Sequence, residues 1–171
     1  MKKTKFVLGM LALGALSFNS CSSDDDGNSG TLAGTYDLRE VNVSEQNDFD
    51  MDGTSHTNLR EESDCYDNGK LTLNSDNTLT YVYKYVLVDE NLGTSECGDE
   101  TFTGSWSISG QAGSSQLIEA VYVDENETER TIQLVKEGNE LSYSRIAQFP
   151  DRNAQDGAVY STGLVEYVFR K

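Results

Sequence analysis

The chain has 171 residues, a single histidine and a formal net charge of −16. Its 29 acidic residues so outnumber its 13 Lys and Arg that nucleic-acid partners are excluded, and the self-repelling surface favours a monomer. Without a G-x-S-x-G, H-E-x-x-H or phosphate-cradling glycine loop, and with only His56 available to any triad, an enzyme is not expected.

The N-terminus carries Lys2, Lys3 and Lys5, followed by the apolar run FVLGMLALGAL at 6–16. A basic start and an apolar stretch of this length are the pattern of a secretory signal peptide. As a helix the run spans only about 16 Å, roughly half a hydrocarbon core, which is too short for a transmembrane span. Phe18-Asn19-Ser20-Cys21 resembles the lipobox of bacterial lipoproteins, in which the cysteine thiol is acylated, with Phe where Leu is usual and Asn where a small residue is usual. Ordinary cleavage after Ser17, with Ala15 and Ser17 as the small residues, is the alternative.

Cysteine usage favours lipidation. Three cysteines, Cys21, Cys65 and Cys97, leave an odd thiol in an exported chain. Lipid on Cys21 leaves Cys65 and Cys97 as one disulfide. The SSDDDG after Cys21 resembles the acidic export signal that sends lipoprotein chains of the Bacteroidota to the outer face of the outer membrane. A periplasm-facing anchor is the alternative destination, and the stretch also reads as a solvated tether. The expected organisation is a signal peptide over 1–20, a lipidated cysteine and tether over 21–30, and one domain over 31–171. Removing residues 1–20 takes away three lysines and no acid, so the mature net charge becomes −19.

Alternation of apolar and polar residues makes that domain β. Leu32 to Val43 reads as a first strand, and KLTLNSDNTLTYVYKYVLVDE as two more, separated by Ser75-Asp76-Asn77. Further runs lie at 101–109, 116–124, 128–136, 140–149 and 161–170, with Gly138-Asn139 as a two-residue hairpin signal. Eight strands joined mostly by short hairpins predict an antiparallel up-and-down barrel, which leaves no exposed edge. Tyr36, Tyr81, Tyr83, Tyr85, Phe102, Trp106, Tyr143, Tyr167 and Phe169 are the candidate interior residues. They either line a pocket for a small ligand or fill the barrel outright.

Between the first two strands, NDFDMDGTSHTNLREESDC at 47–65 begins like an EF-hand calcium loop. Asp48, Asp50 and Asp52 alternate before Gly53, and Thr54 offers a backbone carbonyl. The pattern then breaks at Leu59, where a bidentate Glu belongs. Glu61 and Glu62, on a short helical turn starting near Thr54 or Ser55, are the substitutes. A solvated acidic loop is the plainer reading. Residues 149–160, with the only proline, Pro150, read as a long connection and a candidate lid, with Asp151, Asn153 and Asp156 as a fainter cation set; an ordinary surface loop is the plainer reading.

LAGTYDLREV at 32–41, CYDNGKLTLNSDNTLTY at 65–81 and FTGSWSI at 102–108 resemble the lipocalin-like domain of Bacteroidota lipoproteins. The resemblance covers 31–171, with Gly34 and Tyr36 standing for the Gly-x-Trp of a lipocalin opening strand. It implies a calycin-type barrel with a hydrophobic-ligand cavity, and an Arg170 packed across the Tyr36 ring. Two functional expectations follow. One is a membrane-anchored lipoprotein whose barrel carries a small hydrophobic or amphipathic molecule. The other is a side-chain-filled structural or interaction module of the envelope, stabilised by calcium.

Overall fold

The computed structural model describes residues 32–171; the signal segment, Cys21 and the acidic tether lie outside the described residues. Nine strands follow one another: β1 (Gly34–Asn47), β2 (His56–Asn58), β3 (Lys70–Leu73), β4 (Thr78–Asp89), β5 (Thr94–Ala112), β6 (Ser115–Val123), β7 (Glu129–Glu137), β8 (Glu140–Arg152) and β9 (Ala158–Arg170). From β3 to β9 each pairs antiparallel with the next, β1 pairs with β3, and β1–β9 pairing closes the sheet into an eight-stranded barrel. The closing ladder runs from Asp37↔Arg170 to Val43↔Val165. β2 is an unpredicted ninth strand, added outside the barrel along the end of β1. The expected short helical turn is present in this same long loop, but as a 3-10 turn at Asp64–Tyr66 and not near Thr54–Ser55, where β2 begins instead.

Turn chemistry sets the hairpins. Asn77 takes φ 66° between β3 and β4, and Asp76 Oδ1 accepts from Thr78 N (3.0 Å) to fix the bend. Gly138 takes φ 53° in the Gly138-Asn139 turn. Gly104 has a different reason: a Cβ there would stand 1.9 Å from the Val121 carbonyl oxygen, so only glycine lets β5 and β6 approach at that point. The long connection expected over 149–160 is mostly strand. β8 continues through Pro150 to Arg152, β9 begins at Ala158, and only Asn153–Gly157 remain as a turn held by Asn153 Oδ1. Pro150 lies beyond Ser142, the last β8 residue paired to β7, so its missing N–H breaks no ladder on that side.

That β7–β8 seam is short. Only Val135↔Ser142, Lys136↔Leu141 and Glu137↔Glu140 are in register, and above them the two strands are not paired. The 48–69 connection folds over the same end of the barrel from the β1 side, tied down by Leu59 N to Val41 O and Leu38 N to Gly69 O, both 2.8 Å. Phe49, Leu59 and Tyr66 from this connection join the barrel core with Tyr36, Leu71, Leu79, Tyr81, Leu141 and Phe169. Each such aliphatic side chain contributes about 1.5–3 kcal/mol by leaving water.

Cys65 and Cys97 form a disulfide, Cα–Cα 4.9 Å apart, that fastens the 3-10 turn to β5. Across a separation of 32 residues the chain-entropy model assigns such a bridge about 3–4 kcal/mol. The Cys65→Ser/Cys97→Ser double variant is expected to melt roughly 10 °C lower than wild type by calorimetry. An unchanged melting temperature would mean that the loop is held by its hydrogen bonds and apolar anchors alone.

Candidate functional site

The barrel interior is built in levels because side chains on alternate strand positions point inward. At the end bearing the β3–β4 turn, the Tyr36 hydroxyl donates to Leu32 O (2.7 Å) and Trp106 Nε1 donates to Asn74 O (3.0 Å). The expected Arg170 is not across Tyr36. Alternation turns Arg170 outward, where it bridges Glu40 (2.7 Å) and Glu140 (2.9 Å), and Lys171 Nζ stands 4.9 Å from the Tyr36 ring centroid instead.

The middle level is closed. Tyr81 and Tyr143 share a hydroxyl–hydroxyl hydrogen bond of 2.7 Å, and edge contacts pack Tyr81 against Phe169, Tyr122 and Tyr143. Tyr81, Tyr143, Tyr167 and Phe169 are all at most 4% exposed, so no guest enters here. Burial pushes the phenols of Tyr81 and Tyr143 far above their ordinary range.

The upper level is open. Phe102 and Tyr122 stack with centroids 4.9 Å apart, and Tyr83 stacks on Tyr85 at 5.2 Å. Arg145, on β8, reaches into this level: its Nη2 donates to the hydroxyls of Tyr83 (2.7 Å) and Tyr167 (3.3 Å). Its guanidinium carbon lies 5.2 Å and 5.4 Å from the centroids of the same two rings. A cavity of about 320 Å³ stands above these groups and opens where β7 and β8 are unpaired. Tyr83, Phe102, Tyr122 and Arg145 form its inner wall; Asp124 and Arg130, paired at 2.7 Å, belong to its rim. Glu100, opposite Tyr83 in the β4–β5 register and on the same inward face, also lines the cavity and accepts from the Tyr85 hydroxyl (2.9 Å). A larger hollow of about 680 Å³ is lined only by residues of the β4–β5 hairpin tip, so no other element converges on it.

Of the candidate interior residues, Tyr83 and Phe102 reach the cavity wall, while Tyr36, Tyr81, Tyr143, Tyr167, Phe169 and Trp106 build the packed support beneath or beside it. Tyr85 buttresses Tyr83. Arg145, Tyr122 and Arg130 were not among the expected residues. The signal for Arg145 was present: in ELSYSRIAQF it follows Leu141 and Tyr143 in the inward phase of the strand.

The acidic loop brings together Asp48, Asp50 and Glu62, with one carboxylate oxygen of each within 4.8 Å of the others. Asp52 stands outside that carboxylate group, its Oδ1 accepting from Thr54 N (2.7 Å). Glu62, at 2% exposure, organises the loop by accepting from Phe49 N (2.7 Å), His56 N (2.9 Å) and His56 Nδ1 (2.7 Å). That bond with Glu62, helped by the nearby charge of Glu61, holds the His56 imidazole above its ordinary pKa. The carboxylates of Asp48 and Asp50 likewise accept backbone N–H groups, from Gly53 and Asp52, each at 3.0 Å. The loop thus holds its shape through its own hydrogen bonds.

Comparison with protein-family models, with curated proteins and with solved structures finds no match for this chain.

The packed phenols make the barrel sensitive to alkali. Desolvation pushes Tyr36 to about 12, and desolvation with the Glu100 hydrogen bond pushes Tyr85 to about 12. A folded-state pKa above the unfolded one gives stability that is complete below the unfolded value near 10 and falls as pH rises beyond it. Denaturant midpoints are expected to be flat from pH 8 to 9.5 and to drop steadily above pH 10, with tyrosinate absorbance at 295 nm rising chiefly as the fold is lost. Early absorbance from most tyrosines in folded protein would contradict the packed interior. Tyr143→Phe, which strands the Tyr81 hydroxyl, is expected to lower stability by about 1–3 kcal/mol.

Proposed function

We propose that this chain is a non-catalytic, membrane-anchored lipoprotein of the outer membrane, facing the cell surface, whose lipocalin-like barrel binds a small amphipathic molecule. The observation that carries the binding part is the cavity of about 320 Å³ at the β7–β8 seam, walled by aromatic rings with a cation at its inner end. Ring faces and a few convergent polar groups in a concave site are the ordinary makings of a small-molecule pocket. The closed middle level of the barrel limits the guest to the open end, so its size is that of a small molecule and its character amphipathic rather than purely hydrophobic. The anchoring part is supported by thiol arithmetic: with Cys65 bonded to Cys97, Cys21 is the one remaining cysteine of three. It follows a basic, apolar leader and precedes an acidic stretch.

Protein purified from host membranes is expected to release, on organic extraction, a reproducible small molecule in amounts approaching one per chain. Native mass spectra should show the same added mass. A bare protein mass before extraction, together with a melting temperature that rises in calcium and falls in chelator, would instead favour the structural module with an ion in the Asp48–Asp50–Glu62 loop.

Labelled palmitate is expected to enter the wild-type chain but not Cys21→Ala, which should appear in the soluble fraction. Equal labelling, or normal membrane retention of Cys21→Ala, would overturn the anchor.

A further inference from the structure

We propose that Arg145 is the anion-binding residue of the cavity and that the guest of this barrel is a small carboxylate. The inference rests on the binding reading above and specifies its ligand class. Arg39, Arg60, Arg130 and Arg170 each pair with an Asp or Glu, and Arg152 donates to the carbonyls of Phe49 and Asp156. Arg145, inside the barrel, pairs with no carboxylate among the described residues, although the chain holds 29 acids. Its protein partners are the hydroxyls of Tyr83 and Tyr167, and its Nε is buried with no hydrogen-bond partner at all.

A partly desolvated guanidinium without a paired counter-charge is unfavourable, and a buried donor left without an acceptor adds to the penalty. Both are relieved by one event, the arrival of an anion from the cavity. Carboxylate fits best. It is planar, offers two acceptor oxygens to the guanidinium fork, and carries a single negative charge. A dianion would meet Glu100 in the wall and Glu125 at the rim, where Asp124 is neutralised by Arg130. Those acids also favour a guest whose charge lies inward on Arg145 and whose outer end is neutral. Tyr83, Phe102 and Tyr122 supply apolar ring surface to the lining for the guest's body, and about 320 Å³ suits an aromatic or short-chain acid.

The test uses the full mature chain carrying Cys21→Ala, with 2-naphthoate and its neutral counterpart 2-naphthamide as fluorescent probes. Naphthoate is expected to bind at least about tenfold more tightly than naphthamide, and Arg145→Met to erase that difference. Arg145→Met removes an uncompensated charge, so without ligand it should melt no lower than the parent. Arg145→Lys, which keeps the charge but loses the fork, should weaken naphthoate by roughly tenfold and leave naphthamide unchanged, and it serves if the Met variant does not fold.

Equal binding of both probes, unaffected by either substitution, would overturn the anion assignment while leaving a ligand-binding barrel. If neither probe binds, the guest extracted from host protein decides: a carboxylic acid upholds the assignment and a neutral guest overturns it. The absence of any guest would take the binding reading down with it.

Discussion

Everything in this molecule depends on the ladder between its first and last barrel strands. Until β1 pairs with β9, the sheet has two edges and two equivalent faces; once it does, every alternate residue is committed to an inside. Arg170 reinforces the junction from the solvent side, bonding Glu40 of β1 and Glu140 of β8 from its place on β9 and so spanning three adjacent strands. Exposed ion pairs of this kind add little energy each, but the position of this pair ties the two ends of the chain's fold together.

An interior of eight strands is narrow, and this sequence fills it with tyrosine rather than with aliphatic side chains alone. Each phenol brings a large ring and one hydroxyl that needs a partner when buried. The hydroxyls meet one another: Tyr81 with Tyr143 at 2.7 Å, and Tyr83 with Tyr167 at 3.4 Å. Arg145 enters the second of these pairs as a shared donor, so that positive charge is held among neutral oxygens and ring faces. The result is graded along the barrel axis, from a dry, closed middle to a polar, charged mouth.

The mouth is shaped by unequal cover. On the β1 side the acidic connection lies down over the barrel, pinned by Glu62, by Leu59 and by the Cys65–Cys97 bridge. Further round the barrel β7 and β8 part after three register positions, and the cavity is lined from β4, β5, β6, the β6–β7 turn and these two strands.

Alternation alone determined the eight strands, their order and the inward aromatic set, because period-two patterning is a local property of each segment and short hairpins leave few topologies. The disulfide was legible only through the lipobox that Cys21 resembles, since setting that cysteine aside leaves Cys65 and Cys97 as the pair. Only the tertiary structure decided which rings pack and which line a cavity: Tyr81 and Tyr83 are two residues apart on one strand, and what separates them is distance along the barrel axis. The same holds for Glu62, joined to Asp48 and Asp50 in place of Asp52 by a loop whose path depends on its contacts with β1. Arg145 shows both sides at once. The sequence placed a charge in the inward phase of β8, but its lack of a carboxylate partner is a fact about neighbours from β4 and β9, which only barrel closure brings together.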